Sequence, residues 1–129
     1  MGREISDAEV LVVADPANIH NNVVGAHVVA HSTFNMLAGT ITGNTRSGVG
    51  LESASEASFG SFDGSITISG NGINGVQIND LSFALFTNGG PLLNVTGNTA
   101  LDVKCNPQFS ATRGVFTDTN GAKTNCMEP

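Results

Sequence analysis

Polar and apolar residues alternate one by one in three short segments of this chain: Thr40-Ile41-Thr42, Thr67-Ile68-Ser69 and Asn94-Val95-Thr96. A period of two marks a strand with one buried face. Each segment runs directly into Gly-Asn, as Gly43-Asn44, Gly70-Asn71 and Gly97-Asn98, and each copy begins 27 residues after the one before. A fixed interval of that length predicts a solenoid, in which one supersecondary turn stacks on the next. Stacking puts Thr40, Thr67 and Asn94 in one row, Ile41, Ile68 and Val95 in a second, and Thr42, Ser69 and Thr96 in a third. The Ile/Val row then faces the core and the two hydroxyl-rich rows face water. Gly43, Gly70 and Gly97 take a left-handed corner that a Cβ would disfavour, and Asn44, Asn71 and Asn98 stack as an amide ladder.

Past that corner a second apolar doublet recurs at Val49 and Leu51, at Val76 and Ile78, and at Leu101 and Val103. The third pair falls closer to its Asn than the first two do, which predicts a shorter corner in the last coil. A third strand carries aromatics. Val29-Ala30-His31-Ser32-Thr33-Phe34 aligns with Ile78-Asn79-Asp80-Leu81-Ser82-Phe83, and Phe59, Phe62 and Phe86 take related places as core stacks. The expected fold is therefore all-β, a parallel β-helix of about four coils with three short strands in each. It forms a single domain over residues 1–129, with an irregular N-terminal coil or cap over 1–24, regular coils over 25–105 and a C-terminal cap over 106–129. Pro107 falls in that last stretch, where the period is lost and a missing donor would protect the open edge.

Composition sharpens this picture. Sixteen Gly, 12% charged residues and no Trp or Tyr suit a turn-rich β protein, and a 40% apolar share excludes a disordered chain. No apolar run approaches the roughly 18 residues of a membrane span. Five Lys/Arg against eleven Asp/Glu give a net charge of −6, so DNA and RNA are excluded as partners. Cys105 and Cys126 fit one disulfide pinning the C-terminal tail, with two reduced, buried thiols as the alternative. A disulfide would imply an oxidising compartment. Met1-Gly2-Arg3-Glu4 has no basic start leading into an apolar stretch, so a leader was removed or none exists.

Taken together, Ile41-Thr42-Gly43-Asn44, Gly48-Val49-Gly50-Leu51, Ser82-Phe83, Ile68-Ser69-Gly70-Asn71, Gly75-Val76-Gln77-Ile78 and Val95-Thr96-Gly97-Asn98 resemble the right-handed parallel β-helix proteins of the pectate-lyase-like superfamily, over about residues 20–105. The closing stretch from Asp102 through Gly114, followed by Thr124-Asn125-Cys126, resembles the C-terminal ends of uncharacterised extracellular bacterial proteins of that class. The resemblance implies a right-handed winding and an extracellular or periplasmic location. It does not imply one activity, because that superfamily holds lyases, hydrolases, epimerases, adhesins and tailspikes.

Candidate chemistry is sparse. A lyase needs clustered carboxylates and a base on one strand face. At the 27-residue spacing Glu52 stacks over Asn79 and Asn106, and Ser53 over Asp80 and Pro107, which makes Glu52 and Asp80 the weak catalytic candidates. Arg46 stacks over Ile73 and Ala100 with no matching acid. His27 and His31 share a strand face about 13 Å apart if the segment is straight, too far for one metal ion. His20 would join them only if the chain bends. No metal site and no cofactor are expected. Asn94-Val95-Thr96 matches a glycosylation sequon, a short pattern that recurs by chance. The rows Thr40, Thr67, Asn94 and Thr42, Ser69, Thr96 are the candidate binding surface; they are too few and too irregular for an ice-binding grid. These features predict a non-enzymatic, exported module that binds a polysaccharide or a cell-surface protein, or is structural. The competing expectation is a polysaccharide-modifying lyase or hydrolase whose short groove is completed in a homo-oligomer.

Overall fold

Strand segments and corners alternate as the sequence pattern predicts, and the strands stack in parallel. The computed structural model describes residues 2–7, 9–13, 17–60, 65–86, 93–106, 113–116 and 121–126. Strands β1 (Arg3–Ile5), β2 (Val10–Val13) and β3 (Ala17–His20) make one circuit. A second is made by β4 (Ala26–Val28), β5 (Thr33–Met36) and β6 (Gly39–Thr42), and a third by β7 (Val49–Leu51), β8 (Glu56–Phe59) and β9 (Ile66–Ser69). Next come β10 (Asn74–Ile78), β11 (Phe83–Phe86) and β12 (Leu93–Val95), and β13 (Leu101–Cys105) and β14 (Arg113–Phe116) begin another. Successive circuits build three parallel sheets: β1-β4-β7-β10-β13 (sheet A), β2-β5-β8-β11-β14 (sheet B) and β3-β6-β9-β12 (sheet C). The described residues contain no helix. This is an all-β solenoid with three strands per coil, close to the four coils expected.

Inside, each sheet sends every second side chain to one shared core. Ile41, Ile68 and Val95 from sheet C are fully buried in register, as predicted. Val49 and Leu51 lie against Val76 and Ile78 on sheet A. On sheet B the Phe34 and Phe59 ring centroids are 6.2 Å apart edge to face, and those of Phe59 and Phe86 are 5.1 Å apart and stacked. Full burial of each such ring contributes about 1.5–3 kcal/mol.

Three sequence expectations require correction. The period is 27 residues only in the middle of the stack: Ala26 pairs with Val49 and Thr33 with Glu56, an offset of 23, Ala17 pairs with Gly39, an offset of 22, and Phe83 pairs with Arg113, an offset of 30. The step from 23 to 27 arises between sheets B and C, where two residues (37–38) join β5 to β6 but six (60–65) join β8 to β9, and the step to 30 arises between β13 and β14, which seven residues (106–112) join. The last C-to-A corner is not shortened, because Val103 pairs with Val76 and Cys105 with Ile78, while Leu101 pairs with Asn74. Finally, Phe83 pairs with Glu56, which pairs with Thr33, so Phe34 corresponds to Ala57 and Ala84. Phe34 therefore points inward and Phe83 is only half-buried. Phe62 lies outside the described residues.

Between sheets C and A the predicted amide ladder is present and buried. Gly43, Gly70 and Gly97 precede it with φ of 63°, 63° and 71°. Asn71 Nδ2 donates to Asn98 Oδ1 at 2.8 Å and to the Ile41 carbonyl at 3.2 Å. Its Oδ1 accepts from the Asn44 backbone N at 3.1 Å and from Asn44 Nδ2 at 2.9 Å. The ladder ends on buried Asp102, whose Oδ1 accepts from Asn98 N at 3.0 Å and Nδ2 at 2.9 Å. Against it lies a column of buried glycines, Gly25, Gly48 and Gly75. A Cβ on Gly48 would stand 2.7 Å from the Gly75 carbonyl and 3.0 Å from Asn71 Nδ2, and one on Gly75 would stand 2.6 Å from Asn98 Nδ2. Glycine at these sites lets the coils approach closely enough for the amides to meet. A smaller ladder occupies the A-to-B corner, where Ser32 N donates to Ser55 Oγ and Ser55 N to Ser82 Oγ, each at 3.1 Å.

At the far end, residues 121–126 cover part of β13. Asp102 Oδ2 accepts from Lys123 N at 2.8 Å, and Thr124 forms an isolated parallel bridge with Val103. Asn125 accepts from Cys105 N at 2.8 Å and donates to the Cys105 carbonyl at 2.9 Å. Cys105 and Cys126 are joined in a disulfide that fastens this segment.

Replacing Asn71 by Ala removes four hydrogen bonds at a buried site. The expected loss is about 3 kcal/mol in urea unfolding, because the stranded amide and carbonyl groups keep their desolvation cost. Substituting both cysteines by Ser opens a loop of sequence separation 21, with an expected loss of about 3 kcal/mol in the same measurement.

Candidate functional site

The predicted binding rows lie together on the outer face of sheet C. Thr40 pairs with Thr67, and Thr67 with Asn94, while Thr42 pairs with Ser69; Thr96 follows Val95 on the next rung. All six are partly exposed. The structure lengthens both rows by one rung that the sequence pattern did not show, since Asn18 pairs with Thr40 and His20 with Thr42. Thr40 Oγ1 donates to Asn18 Oδ1 at 2.7 Å. Asn18 and Thr40 border an open depression of about 360 Å³ with Ala17, Ala38, Gly39 and Ser65. It sits where the shorter coil meets the first long B-to-C corner.

Glu52 and Asp80 do not converge. Glu52 stands on the outer face of sheet A, in the column continued by Asn79, because Leu51 pairs with Ile78. Asp80 sits in the corner between sheets A and B and borders a different depression with His31, Ser53, Ala54 and Leu81. This corner adopts left-handed pairs with no glycine: Ala30 and His31, Ser53 and Ala54, and Asp80 and Leu81 all have φ between 50° and 63°. Each such residue costs about 1–2 kcal/mol in backbone strain. The bend also separates the histidines, so His27 remains on sheet A and exposed His31 turns away with the corner.

What the sequence did not reveal is a notch on the outer face of sheet A. Its lining includes Val24, His27, Arg46, Glu52, Gln77 and Asn79, with Gly50 at its floor and a volume of about 250 Å³. Gly50 occupies the outward position between His27 and Gln77, with which it is in register. His27 Nε2 is 3.4 Å from Glu52 Oε2 and its Nδ1 is 3.8 Å from Glu4 Oε2, an ion pair whenever the imidazole is protonated. On the opposite side Gln77 Oε1 accepts from Asn74 Nδ2 at 3.1 Å and from Ser47 Oγ at 3.4 Å, and Gln77 Nε2 donates to Asn79 Oδ1 at 3.3 Å. This relay fixes the direction of each amide and leaves Asn79 Nδ2 without a hydrogen-bond partner among the described residues. The one available sequence signal was Gly50 itself, a missing side chain at a polar position of the Val49-Gly50-Leu51 alternation.

Among the described residues no three His, Cys, Asp or Glu side chains converge as metal ligands, and no helix is long and apolar enough to cross a membrane. Comparison with protein-family models, curated proteins and solved structures returned no match.

The strained corner beside Asp80 makes a direct prediction. Ala54 is exposed with φ 55°. Ala54→Gly removes the Cβ penalty at the cost of greater freedom in the unfolded chain, and the expected gain in a thermal-unfolding measurement is about 0.5–1 kcal/mol.

Proposed function

We propose that this solenoid is an exported, non-enzymatic module that binds a polysaccharide along the outer face of sheet C. The observation that carries the reading is the pair of hydroxyl and amide rows that share one register from Asn18 to Asn94 and from His20 to Thr96, open at Thr40 into a depression of about 360 Å³. Rungs about 4.8 Å apart offer a polymer a repeating set of donors and acceptors, and sites of a few hundred Å³ suit a small ring. The disulfide favours an oxidising compartment, hence the extracellular or periplasmic location in the proposal. Kinship with the pectate-lyase-like superfamily belongs to the same proposal and is supported by the three-strand parallel coil. A cell-surface protein is the other partner class for this face.

One observation favours a second reading, a polysaccharide-modifying enzyme: the His27 and Glu52 pair at 3.4 Å joins an imidazole to a carboxylate on an open surface. General acid–base work requires such groups to reach a substrate proton.

A glycan array followed by titration calorimetry against soluble polysaccharides tests the module. Binding is expected, weakened about tenfold in the Thr40→Ala, Thr67→Ala double variant through lost hydrogen bonds. Uniform absence of binding overturns it. Release of reducing or unsaturated ends that disappears in Glu52→Gln would establish the enzyme instead.

A further inference from the structure

Sheet A carries two kinds of glycine. Gly25, Gly48 and Gly75 are buried, and a Cβ on any of them would come within 2.7 Å of a backbone carbonyl on the next coil. Gly50 differs in its exposure and in the space around it. It lies in the middle of β7 facing outward, and a Cβ there would meet only His27 Cδ2 and Val24 Cγ1, both at 3.7 Å, an ordinary contact. Its φ is not in the left-handed region. Glycine in a strand interior weakens the strand, and neither packing nor backbone geometry demands one here. What its missing side chain creates is the notch.

The walls of that notch are complementary to a polyol. Glu52 supplies a carboxylate whose remaining lone pairs accept from hydroxyls. One rung along, about 4.8 Å away, Asn79 has its Oδ1 taken by Gln77 Nε2, so its Nδ2 donors are the part of the amide left for a ligand. Arg46 borders the same space, and no ion pair or side-chain hydrogen bond engages its guanidinium among the described residues. Val24 and the His27 ring edge give an apolar flank for the C–H face of a ring. At about 250 Å³ the space suits one sugar ring rather than an extended chain. Acid and base stand on opposite sides, so no excess charge selects an anion.

We propose that the notch over Gly50 is a binding site for a single neutral sugar ring, which is held through adjacent hydroxyls between Glu52 and the Asn79 amide. It lies on a different sheet from the rows that carry the polysaccharide reading, and it stands or falls separately from them.

The test is a chemical-shift titration of the full chain with methyl α-mannopyranoside, methyl β-glucopyranoside and methyl β-galactopyranoside, read at the side-chain amides of Gln77 and Asn79, with glucuronate as the charged probe. At least one neutral glycoside should bind with a dissociation constant of about 1 mM. Asn79→Ala should weaken it about tenfold. Gly50→Thr should fill the notch and reduce binding by more than about tenfold while the melting temperature holds or rises, because Thr favours an outward strand position. Thr40→Ala and Thr67→Ala on sheet C should leave this binding unchanged. No binding of any neutral glycoside, binding of glucuronate alone, or full binding by a folded Gly50→Thr variant would each overturn the proposal.

Discussion

A buried column of side-chain amides governs this molecule. Asn44, Asn71 and Asn98 each satisfy backbone groups at the same corner of successive coils and satisfy one another along the stack. A half-satisfied polar network in the interior costs more than an apolar one, so the ladder tolerates only the register in which every rung lines up. The glycines at 25, 48 and 75 follow from that requirement, because a Cβ in their column would reach a neighbouring carbonyl and the ladder amides together. Asp102 closes the column: it accepts from Asn98 on one side and from Lys123 on the other, so the last rung and the C-terminal segment are fastened through one side chain.

With register held there, the other corners are free to vary. The first four A-to-B corners keep one length, and those after β4, β7 and β10 place non-glycine residues in left-handed conformations beside the Ser32, Ser55 and Ser82 contacts. Such strain survives only where surrounding structure over-determines the backbone, and here the stacked sheets on either side do so. The B-to-C corner instead absorbs insertions, lengthening from two residues to six without disturbing any sheet. Ser65, the last residue of the longer corner, borders the depression beside Thr40.

Outward faces carry whatever chemistry the molecule has, since the interior is committed to aliphatic and aromatic packing and to the buried Asn and Ser ladders. Sheet C presents hydroxyls and amides at even spacing. Sheet A presents a mixed column in which one absent side chain exposes an oriented amide relay and a carboxylate held by His27. Among the described residues neither surface brings three His, Cys, Asp or Glu side chains together. The two candidate acids Glu52 and Asp80 illustrate this, being adjacent in column number but divided by a sharp corner.

Alternation and the Gly-Asn corners were enough, from sequence alone, to establish strands, stacking, the inward Ile/Val row, the outward hydroxyl rows and the amide ladder, because each is a local rule repeated at a constant interval. The shorter early coils were hidden, since the corner that changes length has no marker residue and the Gly-Asn motif is absent from the first circuit. An alignment of Phe34 with Phe83 placed one aromatic on the wrong side, because in a strand a slip of one residue reverses its face. The notch escaped for a related reason. His27, Arg46, Glu52, Gln77 and Asn79 come from three coils, and only the offsets of 23 and 27 residues in successive rungs bring them around Gly50. Local pattern determines what a residue can do in a strand; which neighbours it meets depends on the summed lengths of corners between coils, and that sum is decided only when the whole stack closes.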